Sequence, residues 1–522
     1  MKIFKYLLVI AFLTGSTLFA ADPVAKPQRI GEDPKIIGFA SIKDPNSFVK
    51  KLVKTANAVY PGSGAMLEQY AAMVKPILDS SVAVTVVVYS NEKFTQPPVF
   101  GIYITVKDPK VLDNPMLANF PSKEIVENTL IITMDPNSMA KFKELKKNVV
   151  GITTQKDIEI HIDIKNIVKL NDEVITKDYP FIKDILKQIE MGTIKLDLIN
   201  DGFEFSGSLI TADKSNLQTM LVQPNADGSL LKYVGAGNFS SGIATFDLAK
   251  AKGFLQDLIK AANSVPGITE KDRTKLNEFS AVALAFCDNG IAQYASTMSY
   301  NESLTSKGLI KLKDPSLFIK LSKSSDALFK CESFNNAFGK TLQNDNYDFK
   351  LEEVEKYNGL QVYKIDTFSQ KDKEILNQTN IPIPKNQYIL VDNNYIYSAT
   401  ELPLLKSLVD TVKANPTAEV VLESTKFFKG THSFYSDFYL VGFVKMVENL
   451  VGAFGVKVDG ISSLKLPPYK FAVSLDGNAN VKSFIETSTI SALVQKGMEA
   501  MQQVAPGGDS GMGEGDKPKA QP

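Results

Sequence analysis

The sequence predicts an α+β protein of two duplicated lobes, each a mainly antiparallel, curved sheet packed with amphipathic helices. Three observations carry this reading. A strand that ends in an acid and runs into an apolar-striped helix recurs along the chain, as in GFASIKDPNSFVKKLVKTANAVY (38–60) and GLIKLKDPSLFIKLS (308–322). These modules fall in matching order in two halves. Several strands, IEIHIDI (158–164) and TIKLDLI (193–199) among them, alternate apolar and polar residues, as an antiparallel sheet with one face on a core requires.

The module has a simple physical grammar. In residues 38–60 a short strand ends at Lys43, and Asp44 suits an N-cap because its carboxylate accepts from the first free amides of a helix. Pro45 suits the first helical position, where a missing N–H costs nothing. Phe48, Val49, Leu52 and Val53 then recur at helical spacing. The same pattern places N-caps at Asp108, Asp135, Asp163, Asp247, Asp314 and Asp437, with Thr400 in that position in YIYSATELPLLKSLV. A carboxylate at a helix start is worth about 1 kcal/mol through capping and the helix dipole, which accounts for these acids without a metal.

Matched modules define the duplication. Asp44 pairs with Asp247 and Asp108 with Asp314, each about 205 residues apart; Asp135 then pairs with Thr400 and Asp163 with Asp437, about 270 apart. One insertion in the second half, near 323–390, explains the jump, and it carries a hairpin with Asn358-Gly359 at its turn. Lobe one is expected over 35–225 and lobe two over 230–500, with the turn-rich QPNADGS (223–229) as the seam. The β-rich SSVAVTVVVYS (80–90) is matched to FSAVALAFCDN (279–289), read as a strand. The Gly/Pro-rich tail 505–522 is expected to be disordered.

Residues 1–20 read as a secretory signal peptide. Lys2 and Lys5 precede a short apolar core that ends at Gly15-Ser16-Thr17, and Leu18-Phe19-Ala20 offers a cleavage site. No later stretch reaches the roughly 18 apolar residues that span a bilayer. The expectation is an exported protein, periplasmic or extracellular, with no transmembrane segment after cleavage. The formal net charge is zero, and of 58 basic residues only Arg29 and Arg273 are arginines. Such a chain lacks the basic patch and guanidinium forks that nucleic acid recognition uses.

Signal peptide, strand endings followed by Asp-Pro and a helix, and the strand–helix segment NTLIITMDPNSM (128–139) together resemble a group of exported bacterial proteins that carry a domain of unknown function. The resemblance is one of layout over residues 35–500. It implies an exported α+β protein and no catalytic residues.

The search for chemistry turns up isolated features. Gly508-Asp509-Ser510-Gly511 echoes a protease nucleophile segment but sits in the tail. FNNAFGKT (334–341) has Phe334 where a phosphate loop needs glycine, and GAGNFSSG (235–242) has Ser240 where a dinucleotide loop needs its third. His161 and His432, the only histidines, precede the Asp163 and Asp437 modules and read as half-buried strand residues. Cys287 reads as a buried strand residue and Cys331 as a helix residue; an export compartment permits a disulfide between them, and two separate small apolar residues explain them equally well. No catalytic, cofactor-binding or metal set emerges. The expected function is a non-enzymatic exported binding or envelope structural protein. The alternatives are a carrier of lipid or another apolar ligand in a groove between sheet and helices, and a hydrolase of unfamiliar type.

Overall fold

The structure, a computed structural model, describes residue 30 and residues 33–75, 82–90, 97–150, 152–173, 175, 180–199, 201–265, 267–329, 331, 351–366, 384, 386–452 and 466–504. The expected signal peptide (1–20), the tail (505–522) and much of the insertion lie outside the described residues.

Among the described residues, eighteen strands form one sheet. In the first half of the chain they are β1 (Ile36–Ile42), β2 (Val84–Tyr89), β3 (Val99–Thr105), β4 (Ser122–Val126), β5 (Thr129–Thr133), β6 (Ile158–Asp163), β7 (Ile189–Ile199) and β8 (Gly202–Thr211). The second half adds β9 (Ser240–Asp247), β10 (Ile291–Tyr300), β11 (Leu304–Lys311), β12 (Leu351–Tyr357), β13 (Leu360–Asp366), β14 (Asn386–Val391), β15 (Tyr395–Ala399), β16 (Phe434–Phe438), β17 (Tyr469–Leu475) and β18 (Ala479–Glu486). Every ladder is antiparallel. Neighbours run β4-β5-β3-β2-β1-β6-β7-β8-β18-β17-β16-β9-β10-β11-β15-β14-β13-β12.

Read outward from the central β8–β18 ladder, one strand order occurs on both sides. It is β8-β7-β6-β1-β2-β3-β5-β4 on one side and β18-β17-β16-β9-β10-β11-β15-β14 on the other. The β12–β13 hairpin lengthens the second side alone. Its turn residues Asn358 and Gly359 have φ of 52° and 81°, the left-handed pair that a type I′ hairpin turn demands. At the central ladder a Cβ on Gly202 would stand 2.2 Å from the Ile485 carbonyl oxygen, so only glycine lets the two strands close.

The helices follow strand ends. They are α1 (Pro45–Val59), α2 (Gly64–Val74), α3 (Met139–Val150), α4 (Ile164–Leu170), α5 (Pro180–Leu186), α6 (Asn216–Met220), α7 (Leu231–Val234), α8 (Leu248–Asn263), α9 (Glu270–Cys287), α10 (Ser316–Phe329), α11 (Leu402–Ala414), α12 (Glu423–Phe427), α13 (Leu440–Gly452) and α14 (Thr487–Val504). On one face of the sheet, α3 seats Met139 and Phe142 on Phe39, Val87, Tyr103 and Ile131, while α7 and α11 cover Ile243, Leu309, Leu390 and Tyr397. On the other face, α8, α9 and α10 bring Leu248, Phe286 and Phe318 onto Ala292, Ile389 and Ile396. No helix among the described residues is long and apolar enough to cross a membrane.

Several expectations need correction. Residues 279–287 are not a strand but the end of α9, started by Thr269, whose side chain accepts from Asp272 N–H, with Glu270 and Asp272 in the first turn. Leu276, Ser280, Ala283 and Cys287 form its buried stripe, and the strand matched to β2 is β10. The cap of α11 is Glu401, without a side-chain bond; Thr400 Oγ1 instead accepts from Ser306 N–H at 2.9 Å.

The cysteines are both free and both buried. Cys331 packs with Leu276 and Leu328, and its thiol is raised by burial and by adjacent Asp272. Cys287 lies at the far end of the same helix, about 22 Å from Asp272 at 1.5 Å per residue, whereas a disulfide needs Cα atoms within about 7 Å.

Candidate functional site

The predicted acids do not converge. Asp44 accepts from Ser47 N–H, Asp163 from Asn166 N–H and Asp247 from Ala249 N–H, each at the start of an α-helix. Asp108 and Asp135 accept from Lys110 and Asn137 N–H at short 3₁₀ turns, and Asp314 from Ser316 N–H. Asp437 is the exception and a correction. It does not cap the helix that follows it; it sits fully buried in β16 and accepts from the N–H groups of Glu423 (2.5 Å) and Ser424 (2.8 Å), tying down the start of α12. Burial pushes its carboxyl up, and those backbone bonds offset the rise only in part. Among the described residues no group of three or more His, Cys, Asp and Glu is placed to hold a metal ion.

What the fold does bring together lies on the middle strands. In an antiparallel sheet, directly opposed residues point to one side. Phe39, His161, Thr193, Ser208 and Asn480 are opposed in turn across β1, β6, β7, β8 and β18. The adjacent row on the same face is Ser41, Glu159, Lys195, Ser206 and Lys482.

Glu159 organises this face. One carboxylate oxygen accepts from the N–H of Gln155 (2.7 Å) and Lys156 (3.0 Å), and the other lies 3.1 Å from His161 Nε2. Burial alone would raise this carboxyl. The bonds to His161 and to the Lys156 and Gln155 amides, with the charge of Lys195, outweigh burial and hold it below the usual range. The carboxylate can only accept, so Nε2 carries the ring proton. The His161 ring stacks on Phe39 with centroids 4.3 Å apart.

Four consecutive strands then carry buried polar atoms without a hydrogen-bond partner: His161 Nδ1, Thr193 Oγ1, Ser208 Oγ and Asn480 Oδ1. A Glu–His pair beside hydroxyls has the parts of an acid–base relay, but no hydroxyl bonds to Nδ1. At the strand ends below, Lys51 of α1 bonds to Asp157 (2.8 Å), and Lys156 bonds to Asp197 (3.2 Å) and Glu204 (2.9 Å).

His432 belongs to another neighbourhood. It precedes β16, with Nδ1 2.6 Å from Ser474 Oγ, and burial pushes its pKa down. The β6 and β16 strands are five ladder steps apart, about 24 Å along the sheet, so the two histidines share no site.

The opposite face of the same strands is inverted relative to expectation. The alternation in β6 is real, but its sense is reversed: Glu159, His161 and Asp163 are buried, while Ile160 and Ile162 are each 37% exposed. Ile194 of β7 and Phe205 of β8, on the same face, are 44% and 41% exposed. Gly192 and Gly207 stand among them, so the surface is low as well as apolar. Helix α4 overlies this face through Ile164, whose Cδ1 lies 3.7 Å from where a Gly192 Cβ would stand. At one end of these strands α1 packs on α14; at the other α8 packs on α5 and α6. Both long amphipathic helices are under-buried: α1 buries only Pro45, and α8 buries no side chain fully. Closing a half-exposed Ile or Phe is worth roughly 1 kcal/mol, so leaving four open is a substantial forfeit.

No known protein family, curated protein or solved structure matches this chain. The alternating pattern of residues 158–164 marked β6 in advance, but nothing in it marked Thr193, Ser208 and Asn480 as neighbours.

Proposed function

We propose that the protein is an exported, non-enzymatic binding protein that carries an apolar ligand on the helix-bearing face of its middle strands. The observation that supports this most is the inversion of β6, β7 and β8. In the interior of an eighteen-stranded sheet, charged and hydroxyl side chains are buried while Ile160, Ile162, Ile194 and Phe205 remain open. Departures from apolar-in, polar-out order are expected where function overrides stability. Export rests on the signal-like residues 1–20. The repeated strand order supports a duplicated architecture of two lobes, with the apolar floor on the strands between their outer parts and the β12–β13 hairpin as the later addition. The resemblance to exported bacterial proteins with a domain of unknown function agrees with this reading.

The test is direct. Protein purified from its own host or an expression host is extracted with organic solvent, and the extract is analysed by mass spectrometry. A stoichiometric apolar compound is expected. An empty extract, together with no binding of a solvatochromic apolar dye, would count against carriage.

A further inference from the structure

The composition of the floor narrows the ligand class, given the carrier reading above, on which this inference rests. We infer that the ligand is uncharged over the length it lays on the sheet: a neutral lipid of the acylglycerol or ester type, and not a free fatty acid or phospholipid. Ile160, Ile162, Ile194, Leu196, Phe205 and Gly207 offer no side-chain donor, acceptor or charge. The backbone offers nothing further. Strand β6 is laddered to β1 and β7, β7 to β6 and β8, and β8 to β7 and β18, so the peptide groups across the floor are committed on both sides. An ionised headgroup set down there would lose its hydration and find no partner.

Among the described residues of β6, β7 and β8, the charged side chains of Glu159, Lys195, Asp197 and Glu204 lie on the opposite face, and at one end of the floor Lys165 is already engaged with Glu190 (3.5 Å). A carboxylate head at that end would have to displace Glu190 from Lys165. The occupant is also narrow. Ile164 of α4 stands over Gly192 on this same face, so the floor is a recess beside a helix, suited to a chain and not to a flat protein surface. Its extent along β6, Ile158 to Ile162, is about 13 Å.

The experiment uses the full chain, stripped of lipid by hydrophobic chromatography. It is titrated at pH 8 with two probes that share one fluorophore and one acyl chain, a diacylglycerol analogue and the free fatty acid. The neutral probe is expected to bind at least tenfold more tightly. Ile194→Lys, which places an ammonium at an already exposed position, is expected to reverse that preference, and Ile194→Ala to keep it with weaker binding of both. Equal or tighter binding of the fatty acid by the unaltered protein overturns the inference and leaves the carrier reading standing. Binding of neither probe overturns both. A protein dimer that Ile194→Lys dissolves, seen by light scattering, also overturns the inference by assigning the floor to a second copy.

Discussion

Glu159 offers the sharpest test of the buried polar face. Its carboxylate, 4% exposed, receives three N–H groups: Gln155, Lys156 and His161. Glu159→Ala leaves all three without an acceptor in a site closed to water. At about 1–3 kcal/mol per buried donor stripped of its partner, and with some relaxation of the 155–156 turn, the loss is expected at about 3–5 kcal/mol. Glu159→Gln keeps one oxygen for the two backbone amides but turns an N–H toward His161 Nε2. The ring must then move its proton to Nδ1, which has no acceptor, and the expected loss is about 1–2 kcal/mol.

The pH dependence follows from the same contacts. The folded carboxyl is held below the ordinary glutamate value of 4.5, so its contribution is fully present above that value and is lost as pH falls through the folded pKa. Urea unfolding at pH 7 and pH 4 reads both effects, since the unaltered protein should lose stability between them and Glu159→Gln should lose less. Glu159→Ala within 0.5 kcal/mol of the parent, or an unchanged pH response in Glu159→Gln, would refute the reasoning.

Two other outcomes follow from the same two faces. Thr193→Val and Ser208→Ala remove hydroxyls that bond to nothing, so each should leave stability unchanged or raise it by up to about 1 kcal/mol in urea melts; a loss above about 1 kcal/mol would show that those hydroxyls are satisfied. Asp437 titrates in the opposite sense to Glu159: burial raises its folded pKa above 3.8, so its ionised form costs stability that returns as pH falls below the raised value. The unaltered protein should therefore gain on Asp437→Asn between pH 7 and pH 4, and a relative loss over that range would contradict the assignment.

Local rules were legible wherever they act within a few residues. Asp44, Asp163 and Asp247 bond the amides of the helices beside them because a cap and its donors lie two or three positions apart. Asn358-Gly359 turns a hairpin because left-handed φ is a property of those two residues. The antiparallel habit was expected, but which strands would lie side by side, β1 with β6 and β9 with β16, was not. The stretch 279–287 misled because Val, Phe and Cys among alanines suit a buried strand as well as a helix, and the deciding signal, Thr269 with Asp272, lay ten residues earlier. Asp437 misled because its amides come from Glu423 and Ser424, upstream and outside the module.

By itself the sequence determined the α+β class, the antiparallel habit and the period of two in residues 158–164, since these depend on side-chain spacing along a single segment. It could not set which side of β6 would be closed. Burial belongs to the elements packed against a strand, and those arrive from across the chain: Phe39 on His161, Lys195 beside Glu159, Asn480 opposite Ser208. Only the tertiary structure decided that the polar side lies inside and the isoleucines outside.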